Sequence, residues 1–416
     1  MRNSKLSKIG VVAIASSLML TLPERSRGED RGKDVIEQSS QSDLGLGTYS
    51  RLPFRVSVSL RGGYDDNVNT TTFDEQSSAF VSIGGTVEYH FGSPRTQLSL
   101  TAGGGLTYYL DDIRGVNGDN YDSNIYVSLS ATHRVNPRLT FAASVYASYQ
   151  TQPDFALNVA LNRQSGSFFY TSDKFSMSYL WTPRFSTVTS YTLGVVNYDD
   201  SSVGAFEDRI ENTLGNEFRF LVLPTTSLIA EYRVAFITYD TDSIRDSTSH
   251  FVLAGIDHSF SPRFSISVRG GAEFRDYDNA GESTDPYFEG TLIYALSKWT
   301  SISWTNRYGL EEPDVPGSVS RTTFRTGLSV RHYFTAKFST NLALFYQHDD
   351  NDGFESFFVR SPAFMEDSID VVFSARYALT RNFALEAGYN FTDVQSDIPL
   401  REYTRNRFWG GVNFSF

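Results

Sequence analysis

Cysteine is absent from the 416 residues. Its absence excludes a disulfide framework, a thiolate metal site, a cysteine nucleophile and lipid attachment through an N-terminal cysteine. An excess of positive charge is missing too. The net charge is −12, whereas a nucleic-acid binder needs a basic footprint, so no nucleic-acid partner is expected. The six histidines, His90, His133, His250, His258, His332 and His348, show no metal-ligand spacing such as HExxH. Serine is too common for a pairing with His348 to mean anything. The glycine groups Gly62-Gly63, Gly84-Gly85, Gly103-Gly104-Gly105, Gly270-Gly271 and Gly410-Gly411 belong to no GxxxxGK phosphate loop. Within strands, glycine relieves crowding where a sheet bends. No catalytic constellation stands in the sequence and no cofactor is implied, so the expectation is a protein that is not an enzyme.

Long apolar runs are also missing. Beyond residue 30 nothing approaches the roughly 20 residues that a spanning helix needs. The single apolar run, Ile9 to Leu22, follows Arg2, Lys5 and Lys8 and is followed at once by polar sequence. It reads as a cleaved export signal over residues 1–28, with the cut somewhere in 22–30; a membrane anchor is the alternative reading. Residues 29–51 read as a flexible polar lead-in facing the periplasm. The mean hydropathy of −0.29 is compatible with a membrane barrel, because lipid-facing and lumen-facing residues alternate and their contributions cancel.

From residue 52 to 416 the pattern is uniform. Segments of alternating apolar and polar residues are separated by turn residues, which is the strand signature. In the last segment Phe408, Gly410, Val412, Phe414 and Phe416 share one face, and Arg407, Trp409, Gly411, Asn413 and Ser415 the other. Eight short turns look alike: 92–95, 135–138, 182–184, 223–225, 261–263, 297–299, 335–337 and 380–382. Most carry a proline that pre-sets φ, or a single cation. The intervening connections are longer and acidic, as over 111–122, 199–208, 240–246, 278–285, 311–320 and 349–365. Asp65, Asp66 and Asn67, or Asp349, Asp350 and Asp352, could offer oxygen ligands to a divalent cation, but match no calcium-loop spacing and read first as a solvated acidic rim.

Two aromatic bands fit two membrane interfaces. Tyr64, Tyr109, Tyr198, Tyr239, Tyr277, Tyr308, Tyr346 and Tyr389 close the segments that enter the acidic connections. Phe91, Trp181, Phe185, Phe260, Phe264, Trp299, Phe334, Phe338 and Phe383 stand at the short turns. The fold expected is all-β: a transmembrane antiparallel up-and-down β-barrel of about 18 strands over residues 52–416, in the bacterial outer membrane and in contact with its lipid.

The stretch Arg61-Gly62-Gly63-Tyr64-Asp65-Asp66-Asn67-Val68 resembles the start of the putative β-barrel porin 2 family. The strand–Pro-Arg–strand turns and the carboxy-terminal Phe414-Ser415-Phe416 are similar to that family too. The resemblance implies an outer-membrane location and, through some members, a link to exopolysaccharide or capsule export machinery. Phe414 and Phe416 also resemble the terminal signal read by the barrel-assembly machinery.

Function is expected in the lumen. Inward-facing candidates are Glu231, Arg233, Arg269, Glu273, Arg275, Arg307, Arg325, Arg331 and Glu386. Such charges tune which solutes pass, or are cross-strand ion pairs that stabilise a wet wall. Two connections carry apolar residues that water would not favour: Phe155, Leu157, Val159 and Leu161 in one, Phe354, Phe357 and Phe358 in the other. At least one is expected to fold inward as a constriction. The resulting expectation is a porin-like channel for a hydrophilic solute, with exopolysaccharide as the solute the resemblance suggests. The alternative is a non-conducting scaffold that meets partners through its acidic loops.

Overall fold

The computed structural model describes residues 54–111, 120–151, 166–241, 244–278, 280–315, 318–355, 360–361, 363–398 and 401–416. The expected signal segment 1–28 and lead-in 29–51 lie outside them.

Eighteen antiparallel strands close into one barrel. In chain order they are β1 (Phe54–Asp65), β2 (Ser78–Gly92), β3 (Thr96–Tyr109), β4 (Tyr121–Arg134), β5 (Leu139–Gln150), β6 (Phe168–Thr182), β7 (Phe185–Tyr198), β8 (Arg209–Leu223), β9 (Thr226–Tyr239), β10 (Ser247–Ser261), β11 (Phe264–Tyr277), β12 (Gly281–Ser297), β13 (Thr300–Glu311), β14 (Arg321–Tyr333), β15 (Phe338–Asn351), β18 (Phe364–Ala378), β19 (Phe383–Ser396) and β20 (Tyr403–Ser415). A short helix, α1 (Ser201–Glu207), follows β7, and a two-strand hairpin, β16 (Phe354–Glu355) with β17 (Arg360–Ser361), stands outside the barrel sheet. Each barrel strand pairs with its neighbours in sequence, and β1 closes on β20 with Val58 opposite Phe414 and Tyr64 opposite Phe408. Closure leaves no open edge, which a hydrocarbon surround requires. A strand of 14 residues at about 3.3 Å each, tilted by about 40°, rises about 35 Å and clears the apolar band of a membrane.

The short turns form for a local reason that repeats. A Ser or Thr hydroxyl at the end of one strand accepts from backbone N–H groups two and three residues on. Thr182 Oγ accepts from Arg184 N at 3.3 Å and Phe185 N at 3.0 Å. Thr335 does the same for Lys337 and Phe338, and Thr380 for Asn382 and Phe383. All eight expected turns are present at the expected positions, on the same end of the barrel as both chain ends of β1 and β20.

At the other end two expectations are corrected. The connection expected over 278–285 is tight, because β11 and β12 stay paired up to Tyr277 opposite Gly281, and Gly281 supplies the turn with a φ of +91°. Pro286 sits inside β12. It is tolerated there because β12 pairs with β13 only from Phe288 onward, so the missing N–H falls where no ladder exists. The band of strand-end tyrosines also divides. Tyr64 is half-exposed towards lipid, whereas Tyr109, Tyr198, Tyr239 and Tyr277 are buried facing inward. Their hydroxyls and rings are used inside: Tyr109 donates to Asp122 at 2.8 Å and Tyr239 to Glu312.

The turn-side aromatics face outward: Trp181, Phe260, Phe334 and Phe91 are among the most exposed apolar side chains. Phe260 stacks on Phe264, and Phe334 on Phe338. Inside the wall, glycine allows rings to lie flat. A Cβ at Gly388 would stand 2.3 Å from the Trp409 ring.

Candidate functional site

The register places all nine candidate charges on the inner face, because directly opposed residues in an antiparallel ladder point the same way. One transverse row runs Arg219, Ile229, Gly255, Arg269, Glu289, Arg307, Arg325, Gln347. Glu231, Arg233, Glu273 and Arg275 lie in adjacent rows of the same arc. Arg331 lies nearer the turns on β14, opposite Ser301 and Asn341.

On the arc from β8 to β13 these charges pack against one another. Arg269, only 2% exposed, donates to Asp257 at 2.9 Å and lies within 4 Å of Glu217 and Glu231. Arg219 binds Glu217 at 2.6 Å. Arg233 bridges Glu231 and Glu289, the latter at 2.7 Å. Arg275 joins Glu273 at 2.9 Å, and Arg307 joins Glu311 at 2.7 Å. Gly255 makes the packing possible, since a Cβ there would meet the Arg269 side chain at 2.5 Å. Near the β1–β20 seam, Arg61 and Arg376 both hold Glu386, at 3.0 and 2.6 Å, and Arg61 lies over the Trp409 ring.

The arc from β2 to β6 has a different chemistry. The inner faces of β3 and β5 carry no charged side chain; they present Ser99, Thr101, Thr107, Thr140, Ser144 and Ser148 among small residues. Charge is confined to a few positions, such as Glu88, Asp122, Arg134 and Lys174. Besides Tyr109 at the loop-side end of β3, three tyrosines form a contiguous group on this arc. Tyr126 stacks with Tyr146 at 6.5 Å between ring centroids, and Tyr146 meets Tyr170 edge-on at 6.2 Å. The Tyr126 ring lies over Gly103, where a Cβ would come within 2.7 Å of it.

A third feature was not expected from the sequence. The β13–β14 connection, read there as an exposed acidic loop, is buried and reaches across the barrel. Glu312 accepts from Tyr239 on β9 and from Arg275 on β11 at 2.6 Å. Arg245, from the β9–β10 connection, donates to the Pro313 carbonyl and to the Phe206 carbonyl in α1. Asp314 is held by Arg401 of the β19–β20 connection at 3.1 Å, and Arg401 also binds Glu366 on β18 at 2.9 Å. Asp314 is 1% exposed and Ser318 fully buried. This segment is a polar strut that ties β9–β11 to β18–β20 at the loop-side mouth. Burial by itself would raise the Glu312 carboxyl, but the guanidinium of Arg275, then those of Arg209 and Arg245, hold it below the ordinary carboxylate range.

Of the residues named in the two apolar segments expected to constrict the lumen, only one falls among the described ones. Phe155, Leu157, Val159, Leu161, Phe357 and Phe358 lie outside the described residues, and Phe354 begins the small hairpin of β16 and β17. The supposed oxygen-ligand groups serve structure instead. Asp65 is fully buried and gripped by Arg405, while Asp66 binds Asn406. Asp349 accepts from Thr323 and Gln347. Phe414 and Phe416 face outward at the seam, and Phe416 exchanges backbone hydrogen bonds with Val56 at 2.8 and 3.2 Å.

Residues 47–416 match the model of the family described as putative beta-barrel porin 2. Among solved structures, OccK1 (OpdK) of Pseudomonas aeruginosa is similar at 13% identity, with a TM-score of 0.44, over 87% of this chain and 99% of that one. OccAB4 of Acinetobacter baumannii is similar at 9% identity, with a TM-score of 0.42, over 89% and 100%. The siderophore receptor PirA of Pseudomonas aeruginosa is similar at 9% identity, with a TM-score of 0.39, over 87% and 80%. No curated protein matches.

Proposed function

The chain belongs to the putative beta-barrel porin 2 family and is a porin-like barrel of the outer membrane; on that premise we propose that it is a passive channel whose hydrophilic solute travels along the β2–β6 arc. The observation that carries this reading is the division of the lumen. Charges on β8–β13 neutralise one another and are buried in their own packing. The opposite arc offers hydroxyls and the three tyrosine rings, with little fixed charge. A barrel of 18 strands is wide enough for water. Hydroxyl walls exchange hydrogen bonds with a hydroxyl-rich solute, and tyrosine rings give its apolar faces a surface. This favours an uncharged or weakly charged carbohydrate, and accords with an exopolysaccharide as cargo. The chemistry assigned to the channel is passage rather than turnover.

The test is conductance of the purified full chain in a planar bilayer. Stepwise openings are expected, with transient current blockades when a neutral maltodextrin is added. The strut favours a second reading, a barrel that serves as a scaffold, because it crosses the loop-side mouth. A complete lack of openings, in the native chain and in a chain with the strut anchors removed, would decide for the scaffold. In either reading Phe416, exposed at the end of the closing seam, is proposed as the residue through which the assembly machinery recognises the chain.

A further inference from the structure

The eight turns at one end of the barrel carry no acidic residue, and seven of them carry one cation each: Arg95, Arg138, Arg184 and Arg263 after prolines, and Lys298, Lys337 and Arg381 in turns without proline. All seven are exposed. Among the described residues none of them makes an ion pair, whereas Arg219, Arg233 and Arg269 in the wall each hold two or more carboxylates. The turn hydroxyls of Thr182, Ser261 and Thr335 bond the backbone N–H of the cation itself, so the cation takes an equivalent position in these turns; in the turns of Ser297 and Thr380 the bonded N–H is that of Trp299 and Asn382, and the cation stands one residue earlier. In several turns a lipid-facing ring follows it. Arg184 precedes Phe185, Arg263 precedes Phe264 and Lys337 precedes Phe338. The Lys298 ammonium lies 4.8 Å from the Trp299 ring centroid.

From these two observations we infer that the turn-side rim is a binding surface for anionic phospholipid headgroups in the leaflet facing the periplasm. Aromatic rings of this kind settle at headgroup level. A cation one residue further from the hydrocarbon is then beside the phosphate layer, where each Lys or Arg near an anionic surface is favoured. The rings next to Arg184, Arg263, Lys298 and Lys337 belong to the outward aromatic girdle, and that neighbourhood favours lipid over a dissolved polyanion. The inference stands independently of whether the barrel conducts.

The test uses the full folded chain in phosphatidylcholine vesicles containing spin-labelled phosphatidylglycerol or spin-labelled phosphatidylcholine, and reads the relative association of the two at the protein surface. The native chain should prefer the anionic lipid about fivefold at low salt, the factor that one cation near such a surface confers. That preference should fall towards parity at about 0.5 M salt, where screening is short-ranged. A chain with all seven cations changed to Gln should show parity at low salt. Should that chain fail to fold, R184Q/R263Q/K298Q is expected to lose part of the preference, and the salt arm on the native chain stands alone. Parity in the native chain, or a preference that survives the substitutions or the salt, overturns the inference. So does binding of soluble polyphosphate to the rim without lipid selectivity, which would give the ring to a dissolved polyanion.

Discussion

The lumen has two arcs that solve the same problem, a polar surface inside a barrel, by opposite means. On β8–β13 the chain uses full charges and then buries them, so that Arg269 and Glu273 are as enclosed as a core leucine would be. On β2–β6 it uses hydroxyls of low individual strength and leaves most of them half-exposed, as at Ser99, Thr101, Thr107 and Thr140, with Ser144 and Ser148 buried. The first arc is rigid and intolerant, because each buried charge depends on its partners. The second arc is tolerant, because a lost hydroxyl leaves a small gap that water can share. A channel that needs one wall to hold shape and another to meet solute gains from that division.

The largest effect should come from breaking the first arc. Arg269→Ala removes the guanidinium that donates to Asp257 at 2.9 Å, leaving that carboxylate Arg219 at 3.7 Å and the Ser267 hydroxyl, and leaves Glu217 and Glu231 with one cation fewer. A loss of about 3–5 kcal/mol is expected, the usual cost of removing one partner from a buried ion-pair cluster. Ser130→Ala on β4 should change stability by less than about 0.5 kcal/mol. Unfolding in urea from vesicles measures both, and equal effects would dissolve the contrast between the arcs.

A smaller and pH-dependent effect belongs to the charged side. Burial lifts the Glu207 carboxyl from 4.5 to about 7, while Arg209 and Arg245 draw it down and Asp314 pushes it up. The folded state therefore binds this proton more tightly than the unfolded state. The associated stability is fully present below about pH 4.5 and is lost as pH rises through about 7. Glu207→Gln should match the native chain at pH 4 and exceed it at pH 8, by no more than roughly 3 kcal/mol. Unfolding measured across that range checks it; parallel pH profiles would show that Glu207 does not take up a proton on folding as described.

The strut ties the charged arc to β18–β20 at the mouth. Glu312→Gln with Asp314→Asn weakens its holds on Arg275 and Arg401. Unit conductance should rise and become noisier, while the closed barrel persists, since the ladders do not depend on the strut. Unchanged conductance would mean that the strut stands clear of the ion path.

Which of these features the sequence discloses follows from range. Strand count, turn positions and the inward set of nine charges are written in neighbours one or two residues apart, and a hydroxyl-capped turn such as Thr182 to Phe185 is local chemistry. The strut is not local. Glu312 meets Arg275 across 37 positions and Asp314 meets Arg401 across 87, and an acidic, proline-bearing segment looks the same whether water or guanidinium groups surround it. The inward tyrosines were hidden for a related reason. Alternation separates two faces, but at a strand end a tyrosine such as Tyr239 suits either one, and only its distant partner, Glu312, decides. The Arg245–Tyr239 contact at 4.3 Å could have been suspected only from an inventory of cations lacking a neighbour on their own strand.

The sharpest effect on solute, at a moderate cost in stability, should come from the tyrosines. Tyr146→Ala removes the ring that touches both Tyr126 and Tyr170. It leaves the hydroxyl wall and every charged pair of the opposite arc in place. Ring contacts of this kind are worth about 0.5–1.5 kcal/mol each beyond their area, so the barrel should remain folded. If solute runs along this arc, maltodextrin blockades should shorten by about three- to tenfold, the kinetic counterpart of losing about 1 kcal/mol of contact. Salt selectivity should be unchanged, because no charge moves. Arg233→Gln makes the reciprocal experiment: it takes the cation from Glu289 and leaves Glu231 only Arg269 at 3.8 Å, and should shift selectivity towards cations while sparing the blockades. Should Tyr146→Ala leave blockade times as they were while Arg233→Gln shortens them, the solute path would belong to the charged arc, and the hydroxyl arc would be no more than a compliant wall.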